Sequence, residues 1–145
     1  MTLSHATNSQ NAVPPSIESA EAVISFLTQH HNQAPMAVHF VDQETISDLH
    51  AELFDDPTPT DCITVPYRDP LFLGEVFVCP QVAAEYVSSE GGDLEMEITL
   101  YVVHGFLHLL GYDDIEPADA EEMRKQEQIH LEELAKNNLC VRIEP

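Results

Sequence analysis

Basic residues are scarce in this chain, and their scarcity limits the partners that its surface can attract. The 145 residues include five lysines and arginines against 26 aspartates and glutamates, which gives a formal net charge of -21. A surface of this sign repels polyanions and favours solubility, whereas proteins that bind nucleic acid usually carry the opposite sign. Any function that involves RNA therefore has to explain how so acidic a chain approaches a phosphate backbone.

Cysteines are also few and widely separated. Cys62, Cys79 and Cys140 are odd in number, and no two of them have the C-x-x-C spacing. This argues against a disulfide framework and for a reducing compartment, so we interpret all three as small buried hydrophobic residues. The sequence also lacks the basic start and apolar core of a signal peptide, and it has no apolar run long enough to span a bilayer. We therefore predict a cytoplasmic protein that does not contact a membrane.

The residues that are present suit one globular domain behind a short lead. Apolar residues make up 43% of the chain, a share typical of folded proteins, and the length suits a single domain. Residues 1–15 are rich in Ser, Asn and Pro and predict a flexible N-terminal lead, so the domain is expected over 16–145. Segments with helical spacing of apolar residues are mixed with short apolar runs, which favours an α+β fold with a small mixed β-sheet.

The spacing of apolar residues predicts the helices and strands of this fold and indicates which helix lies at its centre. The helix at 94–110 has apolar residues nearly all round it, so we expect it to be central and buried, with the other helices and the sheet packed against it. Gly111 should end that helix. The remaining helices are predicted at 17–30, 45–54, from Pro80 onward and at about 117–136, and the strands at 36–41, 62–65 (closed by Pro66) and 74–79.

The stretch HGFLHLLGYDD, at the end of the central helix, carries the chemistry. His104 and His108 are four residues apart, so both rings point off one helix face, and a shared metal ion would satisfy two polar rings that otherwise need separate partners. Gly111 lets the chain reverse, which brings Asp114 toward the rings as a third ligand. Asp113 is the alternative, or it braces the loop or orients a ligand. We predict one zinc ion on His104, His108 and Asp114, with a fourth position left for a reactive water.

The same stretch resembles the signature H-G-x-L-H-L-x-G-Y-D-H of the YbeY-type metal-dependent endoribonucleases, also called rRNA maturation factors. It departs from that signature at the last position, where Asp114 stands in place of a third histidine. The segments PTDCITVP (59–66) and LGEVFVC (73–79) resemble two further motifs, so the resemblance covers roughly residues 36–135.

The resemblance implies an α+β fold around the helix that carries the H-x-x-x-H motif, and one zinc ion. His104 and His108 carry over as ligands, and Asp114 carries over by its position. The implied function is single-strand endoribonuclease activity in the processing of ribosomal RNA and in ribosome quality control. The implied partners are ribosomal RNA, the ribosome, and ribosomal or assembly proteins.

A second departure concerns contact with RNA. The family usually has an arginine, thought to meet an RNA phosphate, where alignment back from Pro59 places Phe54. No lysine or arginine lies in 42–67, and Arg68 is the nearest basic residue. Phenylalanine cannot form the paired hydrogen bonds with which arginine clamps phosphate. Besides the endoribonuclease, we therefore keep open a catalytically weakened ribosome-assembly factor that retains the metal site.

A metallopeptidase is a third candidate, because H-x-x-x-H-x-x-G-x-x-D is also the spacing of a metzincin-like zinc site. Such an enzyme needs a glutamate base directly after the first histidine, and here that residue is Gly105. The remaining histidines receive simpler interpretations. His30 and His31 lie at a helix end and are predicted to be solvated, and His130 lies on a helix that looks exposed.

Overall fold

Five helices and four short strands make up the described chain, with β3 and β4 consecutive and the last three helices consecutive, which fits the predicted α+β fold. The computed structural model describes residues 4–56 and 60–145, so residues 1–3 of the predicted lead and Pro59 of the PTDCITVP segment lie outside it. The helices are α1 (Ile17–His30), α2 (Gln43–Phe54), α3 (Pro80–Glu90), α4 (Leu94–Leu109) and α5 (Pro117–Lys136). The strands are β1 (His5–Asn8), β2 (Met36–Phe40), β3 (Cys62–Asp69) and β4 (Phe72–Val78).

One mixed sheet, in the order β1-β2-β4-β3, is formed by the described strands. β1 and β2 are parallel, β2 and β4 are parallel, and β3 runs antiparallel to β4. The small mixed sheet confirms the predicted fold class, but the prediction that Pro66 closes β3 was wrong, because the strand continues to Asp69. β3 is an edge strand, where proline is tolerated because its missing N–H faces no neighbouring strand.

The N-terminal segment differs from the flexible lead predicted over 1–15. Residues 5–8 pair with β2 as β1, and the side chain of Ala6 is buried. Gln10 is buried as well, and its side-chain amide donates a hydrogen bond of 2.8 Å to the carbonyl of Val13. The sequence HATN lacks the apolar alternation that marks a strand, so only its backbone pairing with β2 reveals the element.

The central position predicted for the helix with the H-x-x-x-H motif is confirmed by the burial of α4. Its buried residues include Ile98, Val102 and Phe106. The helix approaches β4 closely at Gly105, because a Cβ added there would lie 2.5 Å from Cγ1 of Val76. Glycine therefore sets the distance between helix and sheet. No helix within the described ranges is both long enough and apolar enough to cross a bilayer.

Candidate metal centre

His104 and His108 lie one turn apart on α4. Their Nε2 atoms are 3.0 Å apart and their ring centroids 4.5 Å apart. The side chains are 20% and 24% exposed, so solvent reaches both rings although most of their surface is buried. The four-residue spacing predicted this shared face, and both rings present a nitrogen to the same space.

The glycine turn after α4 returns the chain toward these rings. Gly111 has φ +104°, a conformation that favours glycine. The N–H of Tyr112 donates to the carbonyl of Leu107 at 3.1 Å, and the N–H of Gly111 donates to that of His108 at 3.0 Å. This pair of bonds is the Schellman motif, which satisfies the last carbonyls of a helix while the chain changes direction. The loop that follows carries Asp114.

Asp114 brings its carboxylate to both histidines. Its Oδ2 lies 3.4 Å from Nε2 of His104 and 3.7 Å from Nε2 of His108. Ligand atoms about 2.0–2.1 Å from a tetrahedral zinc ion are about 3.3 Å from one another, so the three separations fit three corners of such a site. Asp113 instead turns its Oδ1 to the N–H of Asp114, at 2.7 Å, and braces the loop. The geometry thus favours Asp114 over Asp113 as the third donor.

Glu127 of α5 supports His104 from the other side of the ring, and the sequence analysis did not identify it. Its Oε2 lies 2.6 Å from Nδ1 of His104. A carboxylate only accepts, so Nδ1 carries a proton, and the neutral ring then has its lone pair on Nε2, on the side of Asp114. Metal-binding histidines commonly donate their second N–H to a carboxylate in this way. No spacing distinguished Glu127 from the many other acidic residues of α5.

The charges around His104 are negative, as a cation site requires. Burial alone would lower the pKa of His104, but the hydrogen bond and charge of Glu127, with the charges of Asp61 and Asp114, raise it above its usual value. Burial, reinforced by the same three carboxylates, raises the pKa of the Cys62 thiol. This thiol therefore stays protonated and makes a poor nucleophile.

A cavity of about 310 Å³ opens onto this group of side chains. Phe54 and Ile115 are exposed apolar residues of its lining, at 58% and 80%. None of the described residues that line it is a lysine or arginine, and Arg68 lies elsewhere, on exposed β3. The lining consists of His50, Phe54, Cys62, Ile63, Thr64, His104, His108, Asp113, Asp114 and Ile115.

Comparisons with known proteins agree with the resemblance drawn from the motifs. A family model described as Endoribonuclease YbeY matches residues 5–135. The Endoribonuclease YbeY of Protochlamydia amoebophila is 41% identical, over 95% of this chain and 97% of the relative. That of Chlamydia caviae is 36% identical, over 83% and 84%. The solution structure of TM1509 from Thermotoga maritima shares the fold, with a TM-score of 0.68 and 24% identity over 93% of this chain and 91% of that one. The chain thus belongs to the endoribonuclease YbeY family.

Proposed function

We propose that this chain is a metal-dependent endoribonuclease that holds one zinc ion with His104, His108 and Asp114. The observation that carries the proposal is the meeting of three donor atoms, 3.0 to 3.7 Å apart, at an open cavity. Two imidazoles and one carboxylate suit zinc and leave a fourth position free. A zinc ion bound there would supply a Lewis acid for a phosphate oxygen and would lower the pKa of water.

The surrounding residues orient the ligands and shape the access to them. Glu127 fixes the ring of His104 with Nε2 toward the cavity, and Asp113 holds the loop that carries Asp114. Phe54 exposes a ring at the cavity, and aromatic rings stack on unpaired bases. Stacking needs no positive charge, so it offers this acidic chain a contact with single-stranded RNA that replaces the arginine clamp of the family.

Ribosomal RNA in maturing ribosomes is the substrate that we propose. The net charge of -21 disfavours tight binding of free RNA by this chain alone. A basic ribosomal or assembly protein would remove that repulsion by pairing with the acidic surface. Immature ribosomal particles should therefore be cut faster than the same RNA free in solution, and cutting of the free RNA should be slow.

Metal removal tests the proposal. The purified full chain is assayed on an end-labelled single-stranded RNA and on immature ribosomal particles, before and after treatment with a chelator, and its zinc content is counted by mass spectrometry. We expect cleavage to disappear with the metal and to return when zinc is added back. Undiminished cleavage by protein shown to be metal-free would refute metal dependence.

A catalytically weakened assembly factor is the second candidate, and the cavity lining favours it. The described lining has no lysine or arginine, and an exposed Phe54 occupies the family's arginine position. Metal-loaded protein that cuts neither substrate but still sediments with ribosomal particles would decide for this candidate.

The metallopeptidase receives no support from the helix geometry. Gly105 stands where the glutamate base is needed, and a Cβ there would lie 2.5 Å from Cγ1 of Val76, so a glutamate would fit only if the helix and the sheet moved apart. We expect no degradation of casein by the zinc-loaded chain, under conditions in which the RNA assay is positive.

A further inference from the structure

A second group of histidine and carboxylate side chains lies where the end of α1 meets α5. His30 is the last residue of α1 and His31 is its C-cap, whereas Glu133 lies in the last turns of α5. Nε2 of His30 is 2.7 Å from Oε2 of Glu133, and Nε2 of His31 is 3.4 Å from Oε1. Each carboxylate oxygen thus faces a different imidazole, and one donor atom from each residue lies within 4.8 Å of the others.

Two atoms of this group are buried without a hydrogen-bond partner among the described residues. They are Nε2 of His31 and Oε1 of Glu133, which face each other at 3.4 Å as an ion pair but are not aligned as a hydrogen bond. Buried polar atoms are nearly always satisfied, and each exception in a native fold needs an explanation. The 3.4 Å between them is close to the separation of about 3.3 Å between two ligands of a tetrahedral zinc ion. A cation bound to both atoms would satisfy them together.

Neighbouring rings hold the two histidines in place. The prediction that both are solvated is confirmed for His30, whose side chain is 49% exposed, whereas the side chain of His31 is 27% exposed and partly buried. His30 stacks on Phe26 with centroids 4.8 Å apart, and His31 packs on His130 at 4.5 Å. His130 is 4% exposed: most of α5 is exposed, as predicted, but His130 lies on the buried side of that helix. Its Nδ1–H donates to the carbonyl of Gln126 at 2.6 Å, which fixes the ring against His31. Rings held in this way lose little freedom when they bind an ion.

We propose that His30, His31 and Glu133 form a second site for a divalent metal ion, with zinc as the fitting ion. Two imidazoles and a carboxylate are the same donor types as at the proposed catalytic site, and the strongly negative chain attracts cations. The second group shares no residue with the cavity around His104. An ion there would join the end of α1 to α5, so its role is to stabilise the fold rather than to react.

Zinc stoichiometry of the full chain tests this site. Chelator-stripped protein is titrated with zinc by calorimetry, and the zinc that survives gel filtration is counted by mass spectrometry. We expect two equivalents for the wild type and one for Glu133→Gln, which keeps the side-chain shape but loses a charged donor. Glu132→Gln makes the same charge change on the exposed neighbouring residue and should still bind two. One equivalent in wild type, Glu133→Gln and Glu132→Gln alike would overturn the proposal.

Two further variants separate this site from the proposed catalytic one. His108→Ala should lose one equivalent and keep the other, and adding Glu133→Gln should remove both. If His108→Ala binds as much zinc as the wild type, the proposed catalytic site fails, and the second site is judged on Glu133→Gln alone. If Glu133→Gln does not fold, His30→Ala replaces it, because that side chain is 49% exposed.

Thermal unfolding gives a readout that does not depend on activity. In the His108→Ala background, zinc at about 100 times its Kd should raise Tm by about 5–10 °C. Adding Glu133→Gln should abolish this rise, whereas adding Glu132→Gln should leave it intact. An equal rise in both double variants would refute the assignment of the ion to Glu133.

Discussion

The chain brings two imidazoles and a carboxylate together twice, and the two groups differ in their surroundings. At His104 the donor atoms face an open cavity, and a further carboxylate, from Glu127, holds the ring. At His31 the group is packed between aromatic and imidazole rings, and two of its donor atoms are buried. The same donor types therefore suit different roles: the cavity leaves room for a substrate beside the first group, whereas the buried donor atoms of His31 and Glu133 favour a structural ion, with His30 as its 49% exposed third ligand.

The two groups also respond differently to protons. The pKa of His104 is raised, because the hydrogen bond and charge of Glu127, together with the charges of Asp61 and Asp114, outweigh the effect of burial. The pKa of His31 is lowered by burial and then by the neighbouring His130, although the charge of Glu133 acts in the opposite direction. Groups with the same ligand types thus differ in how strongly a proton competes with the ion, and the carboxylate of Glu127 beside His104 accounts for part of that difference.

The largest expected effect separates the two groups by activity. His108→Ala removes a proposed ligand at the cavity and should lower RNA cleavage by more than about 100-fold, because even loss of an outer supporting residue typically costs 10–100-fold. His30→Ala removes a proposed ligand of the other group and should leave cleavage within about twofold. Single-turnover cleavage of a labelled RNA, at matched folding by circular dichroism, measures both. Equal RNA cleavage by the two variants would show that the two groups do not differ in their importance for activity.

The support that Glu127 gives to His104 should appear as metal affinity. Glu127→Ala removes the acceptor of the Nδ1–H and should weaken zinc binding at this site by about 10–100-fold. Glu127→Gln keeps an acceptor without the charge and should lose less. Glu122→Ala, on an exposed residue of the same helix, is the matched control. Competition with a zinc chelator gives the affinities, and an unchanged affinity in Glu127→Ala would show that the 2.6 Å contact does not tune the site.

Sequence reasoning found the first group and missed the second for a physical reason. His104, His108 and Asp114 lie within eleven residues, so helix periodicity and one glycine turn suffice to bring them together. His31 and Glu133 are distant in sequence and meet only because α1 packs on α5. Glu127 was missed on the same ground. The centre of the fold was predictable because α4 is apolar on nearly all sides. The sequence of β1 has no apolar alternation, so this strand is evident only from its backbone pairing with β2.

The close packing of α4 on β4, which positions His104 and His108, can be tested at Gly105. Gly105→Ala places a Cβ 2.5 Å from Val76 and should push α4 away from β4. Such overpacking lowers the free energy of unfolding by about 1–3 kcal/mol, and the higher helix propensity of alanine offsets up to about 1 kcal/mol of this loss. We therefore expect a net loss of about 1–2 kcal/mol in the free energy of unfolding, measured with urea. The double variant Gly105→Ala/Val76→Ala should recover part of it, and no loss in the single variant would contradict the packing argument.

The exposed ring of Phe54 should affect the binding of RNA, because Phe54 lines the cavity beside His104 and His108. Phe54→Ala removes the proposed stacking contact and should raise KM for single-stranded RNA by about five- to tenfold, within the 1–3 kcal/mol typical of one stacked base. Leu53→Ala, on an adjacent exposed residue outside the cavity lining, should change KM little. Phe54→Arg should restore binding through phosphate and steepen its salt dependence. Equal KM values in Phe54→Ala and Leu53→Ala would exclude the stacking role.

The smallest expected effect is the order in which acid releases the two ions. A proton and a metal ion compete for the same lone pair, and at pH 6.5 an imidazole of ordinary pKa loses a factor of about two in affinity. His104, with its raised pKa, loses more than this, and His31, with its lowered pKa, loses less. Zinc should therefore leave the cavity site first as the pH falls from about 8 to about 6, a range that includes the ordinary pKa of an imidazole. Glu133→Gln retains only the cavity site and His108→Ala only the second site, so pH titrations of the two variants measure the release of each zinc ion separately. Release from the second site at the higher pH would show that the other ligands, rather than His104 and His31, determine how protons compete with zinc.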